Sequence, residues 1–504
     1  MTNHPVVAAL LASFAVLIAT PAAAAEVFDI GSASSGARID AMAVSASGKS
    51  APMVVLVGGL HGDDGTVAAV RAAVAAYERR RSRPVQLVAV PLANPDAAAL
   101  AFPPTGIAYR EHAEANLLWR WLGSQAPDLV LIAAKDDAGL AAALSAQKVA
   151  DMGRIPARPW SGKAADWMLP VGTIAQSEAR IELEQRRERS PRQLAEELAA
   201  HYGHDFDQPW YINAIALIAR IRLGELDDVR RLAEPYVNGS KDSLAHPSEL
   251  VLGGHIVFTV LARRTGDPRY TALVRRVADL GFDGSGKMLE AMPYNDQFSD
   301  AIFMGTVILA QAGDLTGESR YFDMADRHLR FMQQLDLRPD GLYRHQPATD
   351  AAWGRGNGFA AIGLAMTLSA LPRTHPGYAH ALDSYRKLMA ALLPLQTRDG
   401  LWRNVIDHPG AYPEFSATAM IGFAMQRGLE NAWIEGPAYR KAVEHAWLAV
   451  NSRTSSAGSF IDVCESTARM TSVEQYLQRA AILGNDPRGG AMALLFATEL
   501  MNSD

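Results

Sequence analysis

Four short sequences recur in the last three hundred residues, and they leave few architectures open. GDPRY (266–270) precedes TALVRRVADLGF, and GESRY (317–321) precedes FDMADRHLRFM. HPGY (375–378) and EGPAY (435–439) open two more amphipathic stretches of the same kind. The starts lie about 50–60 residues apart, the length of one helical hairpin each. From about residue 196 onward apolar residues recur at 3.6-type spacing, with Gly, Asp and Pro between the segments. Roughly 300 residues at that period make about six hairpins, and tandem hairpins that bury each other's faces form a solenoid or a closed ring. We expect the closed ring, an (α/α)6 barrel over residues 196–504, with its loops crowding one end around a pocket.

Residues 26–150 have a different rhythm. MVVLV (53–57), VQLVAVPL (85–92) and DLVLIAA (128–134) are continuous apolar runs, as expected for strands buried on both faces. Helix-like segments at 66–80 and 112–123 separate them, so this part is expected to be an α/β domain. Residues 151–195 hold Pro156, Pro159 and Pro170 and a charge-rich run from Glu182 to Arg189, and are expected to be a linker. The length of 504 residues suggests two or three domains, with helical barrels a known exception.

The first 25 residues have the pattern of a signal peptide. Val6–Thr20 is apolar but short for a membrane span, and Pro21-Ala22-Ala23-Ala24-Ala25 offers a cleavage site before Glu26. The segment before that run has His4 but no Lys or Arg. We expect export to the periplasm or beyond, with no stable membrane association after cleavage. The single cysteine, Cys464, excludes an internal disulfide and is expected to be a small buried residue. The net charge is -6 and no basic run is present, which argues against a nucleic-acid partner.

Candidate chemistry lies in both parts. In GGLHGDDG (58–65), His61 and Asp64 stand three residues apart at the end of an apolar strand, the arrangement of two metal ligands. In the helical part, Asp300 precedes the apolar run AIFMGTVIL; it is either a helix N-cap or a buried acid. Glycines 354, 356 and 358 alternate with Trp353, Arg355 and Asn357 in AAWGRGNGF. Trp offers a stacking face for a sugar, Arg a bidentate partner for a carboxylate, and Asn a two-way hydrogen-bonder for hydroxyls. The same stretch would also serve as a tight inter-helix loop. Trp402 follows Asp399-Gly400-Leu401, and Glu414 opens FSATAM, where it is a substrate contact or a first-turn helix acid.

FSDAIFM, GLYRHQ, WGRGNGF, DGLWRNVID and EFSATAM stand in the order and spacing of the unsaturated rhamnogalacturonyl hydrolases, glycoside hydrolase family 105. The chain resembles that family over about residues 196–504, and the unsaturated glucuronyl hydrolases of the related family 88 more distantly. DVCEST…YLQR…GNDPRGGAMALL resembles the family's last hairpin. The resemblance implies an exported enzyme for Δ4,5-unsaturated uronyl oligosaccharides left by polysaccharide lyases. It works by hydration of the enol-ether double bond, with no metal or organic cofactor. It makes Asp300 the catalytic acid and then base. His345, Arg355, Trp353, Trp402, Asn357 and Glu414 become candidate substrate contacts, the two tryptophans as stacking walls. Members usually carry a second Asp one hairpin earlier; here that stretch is Ser248–His255, and Glu249 takes the seat with a longer arm. His255 is expected on a plain helix face.

The N-terminal domain resembles the zinc carboxypeptidases and their deacylase-like branch, through GGLHGDDG, VPLANPDA (90–97) and the segment with Arg120 before PDLVLIAA. Hydrolytic zinc needs three protein ligands and a water. Asp64 replaces the usual Glu, and Ala134 stands where a third ligand belongs. We expect a domain that kept the fold without the chemistry. The competing readings are a zinc peptidase or deacylase using His61 and Asp64, a non-catalytic sugar-binding barrel, and a different α/α-barrel uronidase or epimerase.

Overall fold

The computed structural model describes residues 24–48, 50–163 and 174–501. The signal-peptide expectation falls almost wholly outside the described residues.

Strand β1 (Glu26–Ser32) and strand β2 (Arg38–Val44) form an antiparallel ribbon, followed by β3 (Met53–Val57), α1 (Gly65–Glu78), β4 (Gln86–Val90), α2 (Ala113–Gln125), β5 (Leu129–Ile132), α3 (Leu140–Ala146) and β6 (Ala157–Pro159). The sheet order is β1-β2-β4-β3-β5-β6, parallel from β4 onward. Alternation along β3 explains the unbroken apolar run. Val55 and Val57 face a core with Leu118 and Trp121 of α2 and Leu140 of α3, while Val54 and Leu56 face Val70, Val74 and Tyr77 of α1.

The stretch expected as linker is not featureless. Its charge-rich run forms α4 (Glu178–Glu188), capped by Ser177 and packed on a barrel helix. Arg186 donates to Asp151 O and Ser452 O, so the run ties the two parts together.

Beyond α4 the chain runs through α5 (Pro191–Ala199), α6 (Tyr211–Arg222), α7 (Leu226–Val237), α8 (Glu249–Gly254), α9 (Ile256–Thr265) and α10 (Pro268–Ala278). It continues with α11 (Ala301–Met304), α12 (Thr306–Thr316), α13 (Ser319–Asp336), α14 (Gly354–Ala370) and α15 (Pro376–Leu392). Strands β7 (Trp402–Arg403) and β8 (Pro413–Glu414) precede α16 (Phe415–Glu430) and α17 (Pro437–Ser452). Strand β9 (Ser459–Cys464), α18 (Val473–Leu477) and β10 (Ala481–Asn485) precede α19 (Pro487–Leu500).

GDPRY, GESRY, HPGY and EGPAY each begin an outer helix: α10, α13, α15 and α17. Pro at the first helical turn of α10, α15 and α17 costs no hydrogen bond there, which is why the signal recurs. The inner helices pack in a closed ring: α6 on α8–α9, then α11–α12, α14, α16, α19 and back to α6. Because outer helices alternate with inner ones, all inner helices point the same way. Their N-termini, with Tyr211, Glu249, Asp300, Gly354, Glu414 and Asp486, share one end. Partial positive charge at helix N-termini makes that end suited to an anion.

Two inner helices are broken near this end. His255 takes the break between α8 and α9, its Nδ1 donating to Val251 O at 2.7 Å. At the break between α11 and α12, His328 inserts and donates to Ala301 O at 3.0 Å. Side chains inserted into the helical ladder are a recognised cause of kinks. The short segments before the two breaks begin at Glu249 and Asp300.

Candidate active site

Asp300 stands at the start of α11 with helical backbone angles, and its side chain caps nothing. The N-cap role is therefore excluded, and Oδ1 is buried without a hydrogen-bond partner in the protein. Such orphaned acceptors are rare. Burial pushes the carboxyl well above the usual carboxylate range, and Arg355 pulls it part of the way back. Glu249, in the first turn of α8, is pushed up by burial and by the Asp300 charge, and its Oε2 also lacks a partner in the protein. A carboxyl beside one that is already ionised holds its proton longer, which here falls on Glu249. Of the two carboxyls, Arg355 pulls down Asp300 and not Glu249, so Asp300 releases its proton first while Glu249 stays neutral.

His345 completes the cluster. Its Nδ1 and the Tyr476 hydroxyl are hydrogen-bonded at 2.7 Å, and Phe298 stacks on its ring at 4.4 Å. Burial, with Arg355 and Arg469 nearby, lowers its pKa to about 3, so it is neutral. Its Nε2 lies 3.7 Å from Asp300 Oδ1.

Arg355 is fixed from one side by Ser416 Oγ at 3.1 Å and Cys464 O at 2.8 Å, and lies 5.0 Å from the Trp353 ring centroid. The glycines before and after it serve close approach rather than a turn, since all three are helical. A Cβ on Gly356 would stand 2.7 Å from Ser299 Oγ, and one on Gly354 would strike Arg403 O. The backbone of α14 can thus approach the Asp300 turn only as glycine.

Four of the candidate contacts are structural, which corrects the sequence expectation. Trp402 is 0 % exposed and donates to Leu392 O at 2.8 Å, so it is core and no stacking wall. Trp353 is 2 % exposed, donates to Asn404 Oδ1 at 3.2 Å and meets His345 edge-on, so no face is open to a sugar. Asn357 spends its amide on Tyr343 and Trp353: Oδ1 accepts from Tyr343 N, and Nδ2 donates to Tyr343 O and Trp353 O. Glu414 caps α16, accepting from Ser416 N, Ser416 Oγ, Ala417 N and Cys464 N. Which side chain occupies a pocket wall depends on hairpin packing, which local pattern does not carry. His255, expected on a plain helix face, instead sits buried in the break between α8 and α9, against Val251 O and Ser243 Oγ.

Several further residues of the site were not among the candidates, although Tyr476 lies in the YLQR stretch noted above. Asp336, the last residue of α13, is buried, and both its oxygens lack a partner in the protein. Burial pushes it up to about 8, against the pull of Arg344. Tyr476 and Arg469 arrive from between β9 and β10; Arg469 donates to Asp296 O at 2.8 Å and strap-like spans the turn before Asp300. Tyr294, Asp296 and Gln297 in that turn have φ of 61°, 45° and 58°, a concentration of left-handed backbone of the sort functional sites hold. Only the GNDP motif could have pointed to Asp486, which caps α19.

The N-terminal candidates do not fit a metal. His61 Nε2 donates to the Asp136 carbonyl at 2.7 Å, and Asp64 Oδ1 accepts from Thr66 N at 2.8 Å as the cap of α1. Among the described residues no cluster of three or more His, Cys, Asp or Glu could hold a metal.

Six hairpins thus close a barrel whose inner-helix N-termini carry a pair of raised carboxyls. The chain belongs to Glycosyl Hydrolase Family 88, whose pattern matches residues 231–503, more than half of its length. It is 29% identical over 191 residues to the unsaturated rhamnogalacturonyl hydrolase YesR of Bacillus subtilis, covering 36% of this chain and 53% of that protein. It is 32% identical over 169 residues to the unsaturated 3S-rhamnoglycuronyl hydrolase of Formosa agariphila, covering 30% and 45%. The chain thus spans about half the length of the curated relatives it matches. The fold is shared with possible GH105 members from Salmonella enterica (TM-score 0.53, 18% identity, 67% of this chain and 97% of that one) and Klebsiella pneumoniae (TM-score 0.54, 19%, 67% and 96%).

Proposed function

We propose that the barrel hydrolyses Δ4,5-unsaturated uronyl oligosaccharides by hydrating the double bond. The observation that carries this reading is the Asp300 carboxyl, buried, raised and unpartnered on Oδ1, beside a neutral Glu249 and a cationic Arg355. The names of its relatives supply the substrate class. Asp300 gives its proton to C4, and the π electrons of C4=C5 form that bond. The oxocarbenium centre left between C5 and the ring oxygen is attacked by water, whose proton returns to the Asp300 carboxylate. The C5 hemiketal then opens to a ketone, and the C1 hemiacetal so exposed collapses to an aldehyde and the free aglycone alcohol. A carboxyl that holds its proton at neutral pH and can take it back suits both steps. The Arg355 charge favours the Asp300 carboxylate when its proton leaves, His345 lies beside it, and the helix N-termini favour the uronate carboxylate.

A panel of lyase-generated unsaturated disaccharides, followed by loss of double-bond absorbance, tests the substrate class. At least one member is expected to be consumed while the saturated disaccharides persist. Consumption of saturated uronides alone would favour an ordinary uronidase.

Two further readings go with this one. The first 25 residues direct export, so the protein works in the periplasm or outside the cell. The N-terminal sheet is a zinc-carboxypeptidase-like fold without its metal chemistry, supported by GGLHGDDG at the end of β3 and by the lack of fit of His61 and Asp64 to a metal.

A further inference from the structure

Arg120 belongs to a motif that the proposed reaction leaves unused. It lies on α2 in the N-terminal domain, yet its guanidinium reaches Asp462 Oδ1 on β9 at 2.7 Å. Arg453 donates to the other oxygen of Asp462 at 3.0 Å, and the Tyr109 hydroxyl donates to Oδ1 at 3.1 Å. All the charged partners are buried, with side-chain exposures of 8% for Arg120, 3% for Asp462 and 7% for Arg453. A buried carboxylate held by two guanidiniums and a phenol is strongly fixed in place.

Asp462 has φ of 68°, a left-handed conformation that a non-glycine residue adopts at a cost. It is also the residue skipped in the β9–β10 register, where Ile461 pairs with Leu483 and Val463 with Ile482. Bulges of this kind re-aim the strand beyond them. Two residues further on, Cys464 O accepts from Arg355 at 2.8 Å and Cys464 N donates to Glu414 at 2.9 Å. The neighbouring Ile461 packs in the core of the N-terminal domain. Tyr109 makes a second link, stacking on Tyr412 at 4.4 Å, two residues before Glu414.

We propose that the N-terminal domain is a working part of the barrel's site: Arg120 and Tyr109 lock Asp462 in its left-handed bulge and thereby fix Cys464 against Arg355 and Glu414. The proposal rests on the reading of Asp300 and Arg355 given above. Arg120 and Tyr109 are positioning residues. They touch no substrate, and they act through the backbone of β9 on the cation that faces Asp300. Asp300 is faced also by Glu249 on α8, His345 ahead of α14 and Tyr211 on α6, with Asp336 and Tyr476 further off. Of these groups only Arg355 is a cation, so loosening it moves the Asp300 titration upward.

The test compares the full-length chain with Arg120→Met, Arg120→Lys and the milder Tyr109→Phe. Hydrogen exchange is mapped over peptides 459–466 and 412–420, and the pH profile of kcat is measured on an accepted unsaturated disaccharide. Arg120→Met is expected to raise exchange in those two peptides selectively. It should lower kcat on the order of tenfold, as loss of a supporting partner does, and move the alkaline limb up by about one pH unit. Arg120→Lys restores part of each effect, and Tyr109→Phe gives a smaller change in the same direction. Unchanged exchange in both peptides overturns the proposal, and so does raised exchange with an unmoved limb and an unchanged kcat. Should Arg120→Met not fold, Tyr109→Phe decides by the same readouts. If the wild type consumes no unsaturated uronide, the proposed activity falls, and the exchange map alone still decides whether the N-terminal domain holds this backbone.

Discussion

Asp300→Asn is expected to lower kcat by about 10²–10⁴, the span associated with loss of a positioned general acid. KM should hardly change, because the amide keeps the shape of the carboxyl and the uronate meets the same helix N-termini. The fold should survive as well. Oδ1 has no hydrogen-bond partner in the protein, so the substitution breaks no bond there. It also removes a group whose ionised form is penalised by burial. Urea unfolding and steady-state kinetics on one unsaturated disaccharide check both halves. A variant that keeps more than a tenth of wild-type kcat would show that another group supplies the proton, with Glu249 the first to examine.

The second large effect concerns stability. Glu414→Ala removes one carboxylate that accepts from Ser416 N at 3.1 Å, Ser416 Oγ at 2.9 Å, Ala417 N at 2.5 Å and Cys464 N at 2.9 Å. All of these donors are buried, and Arg355 loses a nearby negative charge. Removing one member of a buried charge network costs about 3–5 kcal/mol, because the groups left behind are uncompensated. The urea midpoint should fall by a corresponding amount with the slope unchanged. A substrate-contact role predicts the opposite pattern, a raised KM with wild-type stability, and that result would return Glu414 to the pocket wall.

The parts legible in the sequence are those governed by local chemistry. Strands β3, β4 and β5 could be read because burial on both faces leaves an unbroken apolar run, and the edge ribbon β1–β2 could not, because it lacks one. Outer-helix starts were legible through Asp267, Pro268, Pro376 and Pro437. α4 was not, because a surface helix rich in Arg and Glu resembles a solvated connector. In the site, Asp300 and Glu249 could be found from position and resemblance, since each opens a short inner segment. The tryptophans misled, because a large aromatic beside glycines suits a sugar platform and a packed helix junction equally. Tyr476 and Asp462 matter through contacts that span more than a hundred residues, such as Arg120 with Asp462, and no local window contains both partners.

In the proposed reaction a proton reaches C4 and water reaches C5, with no direct displacement at C1. This route is tested most directly by running the reaction in deuterium oxide and locating the label in the product by NMR before slow exchange. One solvent deuteron is expected at C4, set on one face only, with loss of that label in Asp300→Asn. Release of the aglycone with no deuterium at C4 and the double bond intact would contradict it.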